Sequence, residues 1–332
     1  MRIFFAGDAV SGTGPANVTK YYIQHLPEGT LYQKVRNKLL RVPEIIIKTL
    51  KADVVVYSGY SKQNILGLKA AKLFGKPSAY LMHGCVEYEN RINLEPDRTM
   101  TRVERKTLEL ADLIIAVSES FAKWLRQYYP MYSDKITCVC NGMDIALFDR
   151  LAKRECVNPH MIFTIGGGMP RKKIVYICEA VARLRVSFDP EMFLCVIGDK
   201  GADTPKIEIY DHVASKGIVS FDETVKLFGE AAVFVQNSCF ETFGLSPVEA
   251  VSLACPALIS RHAGALGIMG NVRDEDMINN YDDPDEIAFK IKNLIENPNA
   301  ARLAEGIDRE SCSWERRSLE LVSKLSDLVL KR

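Results

Sequence analysis

The sequence predicts an α/β protein built from two doubly wound domains. Short apolar runs with the composition of buried strands alternate with longer helical patterns along the chain. Polar turns containing glycine follow several of these runs, as expected at the carboxyl edge of a parallel sheet, where ligands bind. The length of 332 residues suits two domains of about 150 residues each.

Composition narrows the classes of function. Lys and Arg total 43 against 42 Asp and Glu, so no net charge favours binding to nucleic acid. No apolar run reaches the roughly 18 residues that a membrane span needs, and the N-terminus is too short for a signal peptide. The nine cysteines are scattered and mostly lie in apolar runs, which is typical of reduced thiols. We therefore expect a cytoplasmic protein.

The first half of the chain carries alternating strands and helices. Gly12 and Gly14 precede a helix that begins near Pro15, a pattern typical of an anion-binding turn or of a plain structural turn. Residues 31–51 have helical character, and Pro43 is predicted to divide them into two helical pieces. Strands are predicted at residues 2–6, 53–57, 78–82, 111–117 and 136–140.

The basic segment 34–48 has two interpretations. Its lysines and arginines, among them Arg36, Lys38 and Arg41, alternate with leucines and isoleucines. An amphipathic basic helix of this kind can lie on anionic lipid. A solvated helix face that covers the core is the other interpretation.

His83 follows the strand 78–82 directly and precedes Gly84. A histidine at the carboxyl end of a strand faces the ligand crevice in this fold class, although a structural role is the alternative. Residues 87–89 are predicted to lie in the next loop, where they would meet the hydroxyl groups of an acceptor. Cys138 and Cys140 share one face of the last strand, and no further Cys or His cluster completes a metal site there.

The second half repeats the strand and helix alternation. Strands are predicted at 161–165, 193–198, 231–236 and 256–260, and a helix at 207–216. Gly166, Gly167 and Gly168 precede Arg171, Lys172 and Lys173 at the start of a helix. Glycines followed by cations suit a diphosphate, because the backbone approaches closely and the cations offset its charge.

Residues 240–249 carry two carboxylates, Glu241 and Glu249, around Gly244 and a helix start at Ser246. Ser246 and Glu249 fit a capping box, in which Glu249 reaches back to the Ser246 backbone. That interpretation does not explain Glu241. A sugar site explains both acids, because carboxylates accept hydrogen bonds from vicinal hydroxyls.

The segment from Glu241 to Glu249, Glu-Thr-Phe-Gly-Leu-Ser-Pro-Val-Glu, resembles the Glu-x7-Glu motif of the family 4 retaining glycosyltransferases. The resemblance implies the GT-B fold, with two Rossmann-like domains facing a central cleft and a C-terminal helix that crosses back to the first domain. It places an acceptor-binding domain at 1–150, a nucleotide-sugar-binding domain at 151–310 and the returning helix at 311–332.

The resemblance also assigns roles to residues. His83, Lys172 and Glu241 are the expected catalytic residues. Glu241, Thr242, Phe243 and Glu249 would hold the donor sugar and ribose. The donor diphosphate would be bound by Gly12, Gly14, Arg171, Lys172, Gly244 and Leu245. The family arginine falls on Gly167 in this sequence, so Arg171 or Lys173 would have to substitute for it.

The expected reaction is transfer of a hexose from a nucleotide-sugar to a glycan or lipid-linked acceptor in surface polysaccharide or glycolipid assembly. A UDP-sugar is the first expectation for the donor, with GDP- and ADP-sugars as alternatives, and neither a metal nor another cofactor is expected. The protein would be cytoplasmic, with peripheral contact at the inner face of the membrane through residues 34–48. An inactive accessory subunit of the same fold and a nucleotide-sugar epimerase are the alternative functions.

Overall fold

The computed structural model describes residues 1–35, 37, 39–152 and 156–331, which divide into two units. The first unit contains Met1–Tyr88, Pro96–Met143 and the chain from Glu310 onward, and the second contains Glu89–Glu95 and Asp144–Arg309. Each unit is built on a parallel six-stranded sheet. The predicted class of two doubly wound α/β units is confirmed.

The first sheet has the strand order β2-β1-β3-β4-β5-β6. Its four central strands are mostly apolar and almost entirely buried, as parallel strands covered by helices require, whereas the edge strand β2 is half-buried. The strands are β1 (Ile3–Gly7), β2 (Leu31–Tyr32), β3 (Val54–Ser58), β4 (Ser78–Met82), β5 (Leu113–Ala116) and β6 (Ile136–Cys138). The helices between them are α1 (Gly14–His25), α2 (Arg41–Lys51), α3 (Lys62–Leu73), α4 (Val86–Ile92), α5 (Arg98–Leu110) and α6 (Glu119–Tyr128).

The second sheet has the order β12-β11-β10-β7-β8-β9. Its main core cluster lies between one face of the sheet and the helices that cover it, with Ile177, Val181, Leu194, Val233 and Leu258 almost fully buried. The strands are β7 (Asn158–Ile165), β8 (Phe193–Ile197), β9 (Val213–Gly217), β10 (Ala231–Gln236), β11 (Ala257–Ser260) and β12 (Met277–Ile278). The helices are α7 (Ile145–Leu151), α8 (Ile174–Ser187), α9 (Thr204–Ile207), α10 (Phe221–Glu230), α11 (Ser246–Ser252), α12 (Pro284–Glu296) and α13 (Ala300–Glu305).

The last helix, α14 (Trp314–Leu330), belongs to the first unit. Its first residue, Trp314, stacks on Tyr21 of α1 with ring centroids 4.9 Å apart. Trp314 also packs against Gly142, where a Cβ atom would lie 2.7 Å from the indole ring. The helix is therefore held to α1 and to the end of the first unit by aromatic packing.

Two local predictions were wrong. Pro43 does not divide residues 31–51 into two helices; it lies in the first turn of α2, where its missing N–H has no helical partner to lose. The predicted helix 207–216 is instead the end of α9 followed by β9, which pairs with β8 at the sheet edge. No helix in the described part of the chain is long and apolar enough to cross a membrane.

Candidate functional site

The two loops that carry the predicted donor residues meet at one edge of the second sheet. β7 and β10 are neighbours although they are far apart in sequence, so the direction of strand connection reverses between them. Ligands of doubly wound folds bind beside the carboxyl ends of the strands at this switch point. The loop after β7 carries Arg171 and Lys172, and the loop after β10 carries Glu241.

The glycines after β7 are required by packing within the protein. Gly167 has a φ of 53°, and a Cβ atom there would lie 2.0 Å from the carbonyl oxygen of Asp199. A Cβ atom on Gly166 would lie 2.5 Å from the Lys172 side chain. No arginine fits at position 167, which gives a physical reason for the departure from the family pattern.

A cluster of ion pairs joins the two loops. The Oε2 atom of Glu241 accepts hydrogen bonds from Lys172 Nζ at 2.5 Å and from Arg171 Nη1 at 3.3 Å. Ser238 Oγ lies 3.5 Å from the same oxygen. Glu89 adds a second carboxylate, 3.8 Å from Arg171 Nε. Two cations therefore share one nearly buried carboxylate.

The electrostatics of this cluster depend on burial and on mutual attraction. Burial alone would raise the pKa of Glu241, but the charges and hydrogen bonds of Lys172 and Arg171 outweigh it and lower that pKa to about 2. Loss of hydration lowers the pKa of Lys172, and the neighbouring Glu241 opposes that change. Glu241 is consequently a carboxylate throughout the neutral pH range.

Backbone hydrogen bonds fix the cations in place. The Cys239 N–H donates to the carbonyl of Arg171 at 2.9 Å, and Asn237 Nδ2 donates to the carbonyl of Lys173 at 3.2 Å. Asn93 Oδ1 accepts from the backbone N–H of Arg171 at 3.2 Å. The residues on either side of Lys172, Arg171 and Lys173, are thus bound by the loop that presents Glu241, and Arg171 is also bound by Asn93.

Glu249 lies one turn into α11 and is partly exposed. The capping interpretation is wrong, because Ser246 is the first helical residue and no side chain among the described residues caps this helix. The Glu249 carboxylate accepts no hydrogen bond from the described residues, and burial raises its pKa to about 7. At neutral pH this carboxyl group is therefore divided between its acid and carboxylate forms, and it has hydrogen-bonding capacity left for a ligand.

The turn between the two acids has a strained geometry that only glycine tolerates. Gly244 has a φ of 76°, and a Cβ atom there would lie 2.7 Å from the Glu241 side chain. The backbone N–H groups of Gly244 and Leu245 donate to no residue in the described ranges. Phe243 is buried, and Thr242 is partly exposed beside it.

The remaining predicted residues lie in the first unit. Gly12 and Gly14 flank Thr13, which caps α1 by accepting a hydrogen bond from the Ala16 N–H at 3.4 Å. Apart from the adjoining chain, no atom of the described residues lies within 4 Å of a Cβ placed on either glycine, so their open faces leave room for a ligand. Their part in diphosphate binding stays a prediction.

His83 ends a chain of hydrogen bonds at the edge of the first sheet. Its Nε2 atom lies 2.8 Å from Ser58 Oγ, which lies 2.7 Å from Thr19 Oγ1. Burial lowers the pKa of His83 to about 4, so the ring is neutral at neutral pH. Ser58 and Thr19 were missed from the sequence, because a hydroxyl at a strand end or in a helix carries no distinctive pattern.

The prediction that residues 87–89 form a loop was wrong, since they lie in α4. Glu87 is engaged in an ion pair with Arg105 and accepts a hydrogen bond from Tyr129 at 3.0 Å. Glu89 and Asn93, one turn apart, instead contact Arg171. A spacing of four residues is a signal only where a helix is predicted, so the sequence did not indicate this contact.

Two family models match the chain in succession. The one described as Glycosyltransferase Family 4 matches residues 8–147, and the one described as Glycosyl transferases group 1 matches residues 149–309. The chain is 27% identical over 307 residues to a D-inositol 3-phosphate glycosyltransferase of Stackebrandtia nassauensis, covering 84% of this chain and 69% of the relative.

Solved structures match over nearly the whole length. The Anabaena protein Alr3699/HepE, in complex with UDP and glucose, superposes with a TM-score of 0.72 at 15% identity, covering 98% of this chain and 100% of that one. The sucrose-phosphate synthase of Thermosynechococcus elongatus gives a TM-score of 0.70 at 18% identity, with 100% of both chains covered. These likenesses establish the fold.

Both halves of the chain match glycosyltransferase models, and its whole length matches GT-B structures. This chain therefore has the GT-B fold and belongs to family 4 of the retaining, nucleotide-sugar-dependent glycosyltransferases.

Proposed function

We propose that this protein transfers a hexose from a UDP-sugar to a hydroxyl of a glycan or lipid-linked acceptor, in surface polysaccharide or glycolipid assembly. The observation that carries the proposal is the cluster of Lys172, Arg171 and Glu241 at the switch point of the second sheet. It combines cations for a diphosphate with a carboxylate for sugar hydroxyls in one place.

We assign Lys172 and Arg171 to stabilisation of the leaving group. Cleavage of the bond between sugar and diphosphate develops negative charge on the departing phosphate. Lys172 and Arg171 are nearly buried, so their attraction for that charge is only weakly screened by water. The unpaired N–H groups of Gly244 and Leu245 supply neutral donors beside them. No metal ion is needed in this assignment.

The two acids serve the sugar and the ribose. All hydrogen bonds to Glu241 from the described residues fall on Oε2, which leaves Oε1 as an acceptor for a hydroxyl of the hexose. Glu249 accepts from no described residue and is assigned to the ribose hydroxyls. An ion-paired Glu241 stays in one orientation, which preorganises the site for the sugar.

Arg171 is assigned the role of the arginine that position 167 cannot hold. Its guanidinium reaches Glu241 from the start of the 3₁₀ turn Pro170–Lys172, beside Lys172 rather than across the loop. The neutral His83 is assigned to positioning the sugar, because its ring donates or accepts a hydrogen bond without adding charge. We assign no side-chain general base, since a phosphate oxygen of the donor can take the proton of the incoming hydroxyl.

Peripheral membrane contact through residues 34–48 is a further part of the proposal. Arg36 and Lys38 lie outside the described residues. Leu39 and Leu40 are 83% and 64% exposed at the start of α2, which supports an apolar contact there. Lys48 adds little positive charge to this segment, because its Nζ atom forms an ion pair with Glu44 Oε1 at 2.5 Å. Vesicle co-sedimentation that survives charge reversal at Arg36, Lys38 and Arg41 would contradict this contact.

A donor panel tests the proposal. Thermal-shift measurements with UDP-, GDP- and ADP-glucose should give the largest rise in melting temperature with the UDP-sugar, because ligand binding stabilises the folded state. The Lys172→Ala variant should lose most of that rise. Equal rises in melting temperature with all three nucleotide-sugars would contradict the proposal that the donor is a UDP-sugar.

Product analysis separates the proposed activity from the alternatives. A transferase hydrolyses the donor slowly by itself and transfers the sugar with retained anomeric configuration when an acceptor is added. An epimerase would release an altered sugar nucleotide without an acceptor. An accessory subunit would bind donor without turnover, and that result would overturn the proposal.

A further inference from the structure

Lys173 joins two helical segments of different geometry. The 3₁₀ turn Pro170–Lys172 ends directly before it, and α8 begins directly after it at Ile174. Lys173 itself has a φ of 52° and a ψ of 32°, in the left-handed region that residues other than glycine rarely adopt. The direction of the Lys172 side chain therefore depends on a strained residue beside it.

Side-chain contacts hold Lys173 in this conformation. Its Nζ atom forms an ion pair with Asp282 Oδ1 at 2.8 Å. The same atom lies 5.0 Å from the ring centroid of Tyr281 and 5.4 Å from that of Tyr176, within the range of cation–π attraction. Residues in sparsely populated backbone conformations persist only where several contacts hold them, and Lys173 has such contacts.

A buried amide fixes the backbone of Lys173. Asn237 is 1% exposed and follows β10 directly. Its Nδ2 atom donates to the carbonyl oxygen of Lys173 at 3.2 Å and to that of Tyr281 at 2.8 Å. Asn237 lies in the loop that also presents Glu241, the partner of Lys172. One loop therefore binds the backbone next to Lys172 and supplies the carboxylate that its side chain contacts.

The charge of Lys173 is matched by Asp282. Burial would lower the pKa of Lys173, but the hydrogen bond and the charge of Asp282 outweigh it and raise that pKa. The ammonium group therefore stays charged and paired at neutral pH. Lys172 pairs with Glu241 instead. The two adjacent lysines thus have different partners, which separates the role of Lys173 from binding of the diphosphate.

We propose that Lys173 is a positioning residue, whose left-handed backbone directs the Lys172 side chain to Glu241. Three residues hold that backbone conformation: Asp282, Tyr281 and Asn237. A right-handed conformation at position 173 would change the direction of the chain between the 3₁₀ turn and α8. Lys172 has little room for such a change, because its stem packs on Gly166, where a Cβ atom would lie 2.5 Å from it. The inference rests on the proposed role of Lys172 in stabilising the leaving group.

Kinetics of the full chain with substitutions at position 173 test the proposal, with release of UDP from UDP-glucose as the measure of turnover. Lys173→Ala loses the contacts that hold the left-handed conformation, so its turnover should fall by about five- to tenfold. Lys173→Gly loses the same contacts, but glycine adopts this conformation without strain, so its turnover should exceed that of Lys173→Ala about fivefold. KM for UDP-glucose should change less than turnover, because Lys172 acts on charge that develops in the transition state. Equal losses of turnover in the two variants would overturn the proposal.

A double-mutant cycle with Asp282→Asn tests the contact that holds Lys173. The ion pair is partly exposed, so this substitution should lower turnover by only about two- to threefold. In the Lys173→Gly background it should have no further effect, because glycine at position 173 needs no support. An equal loss in both backgrounds would overturn the assignment of Asp282.

Acetylation by acetic anhydride gives a measurement that does not depend on activity. The Lys172 side chain is 14% exposed and ion-paired, so it should react slowly relative to Lys206, whose side chain is 64% exposed. The rate at Lys172 should rise severalfold in Lys173→Ala and stay near its wild-type value in Lys173→Gly. Tandem mass spectrometry of a Glu-C digest measures both lysines in one sample. Equal rates at Lys172 in the two variants and wild type would refute the positioning role.

Lys172→Ala separates failure of this inference from failure of the proposed function. If that variant loses turnover while Lys172 is equally protected in all Lys173 variants, the proposed function stands and the positioning role is wrong. If acetylation follows the expected order but Lys172→Ala keeps its turnover, Lys173 directs Lys172 and the proposed role of Lys172 is wrong.

Discussion

The switch points of the two sheets differ in charge. The second unit places Lys172, Arg171 and Glu241 beside its central strands, in mutual contact. The first unit places Ser58 and His83 at the corresponding edge, joined by a hydrogen bond between neutral groups. The same architecture thus presents an ion-paired cluster in one unit and, in the other, a hydrogen bond between neutral groups with the exposed Asp8 after β1 as a nearby charge. The ionic edge suits a diphosphate, and the neutral edge suits hydroxyl groups.

Removal of Lys172 should break the ionic edge with the largest effect. In Lys172→Ala, turnover should fall by about 10²–10³-fold, because a buried charge that stabilises the leaving group is lost. Steady-state kinetics with a UDP-sugar measure this. Lys206→Ala removes a surface lysine that pairs with Asp203, and the turnover of this variant should stay unchanged. Equal turnover in Lys172→Ala and wild type would exclude Lys172 from the mechanism.

Glu241→Gln should separate the two tasks of the ionic edge. Turnover should fall by about 10²-fold, because the sugar loses its orienting acceptor. Affinity for free UDP should stay the same or rise, since Lys172 and Arg171 are released from the carboxylate. Calorimetry with UDP and kinetics with the UDP-sugar give the two values. Glu223→Gln, on the surface beside Lys216, is the control, and parallel losses of UDP affinity and turnover would contradict the assignment.

At the neutral edge, His83→Ala should lower turnover by about five- to tenfold, the value of one neutral hydrogen bond. Affinity for UDP should not change, since no charge is removed. Ser58→Ala should lower turnover less, because this variant keeps the His83 ring and loses only the hydrogen bond that orients it. His25→Ala is the control. A loss of UDP affinity in His83→Ala would contradict the assignment of separate tasks to the two sheet edges.

The smallest effect is expected from Glu249, whose titration should make both the stability of the protein and its affinity for the donor depend on pH. Because its pKa is raised to about 7 in the folded protein from its ordinary 4.5, the folded state binds more protons than the unfolded state between these values. Stability from this group is therefore full below about pH 4.5 and is lost as pH rises through about 7, by at most about 3 kcal/mol. Donor affinity should rise severalfold over the same range, as the carboxylate forms.

Melting temperatures and donor affinities of Glu249→Gln measure the contribution of that carboxyl. The variant should lose both pH dependences while it keeps the fold, because an amide does not titrate in this range. If wild type and Glu249→Gln showed the same pH profiles, another group would be responsible.

The failed local predictions have a common physical cause. Residues 213–217 form a strand because β8 offers them a partner, and a parallel pairing is invisible to local propensity. Residues 87–89 are helical in α4 although no clear helical pattern marks them. Proline breaks a helix at interior positions, but Pro43 lies in the first turn of α2, where proline is tolerated. Each error arose where the local structure depends on a neighbouring segment in space or on the position of a residue within its helix.

The sequence alone determined the alternation of strands and helices, the family and the segments that carry Lys172 and Glu241. Those features are local, because they rest on periodicity and on residue types at fixed spacing. Only the tertiary structure decided that Arg171 joins Lys172 on Glu241 and that no side chain fits at Gly167. These contacts join segments far apart in the chain, and their distances follow from strand order and packing, which a pattern along one chain does not contain.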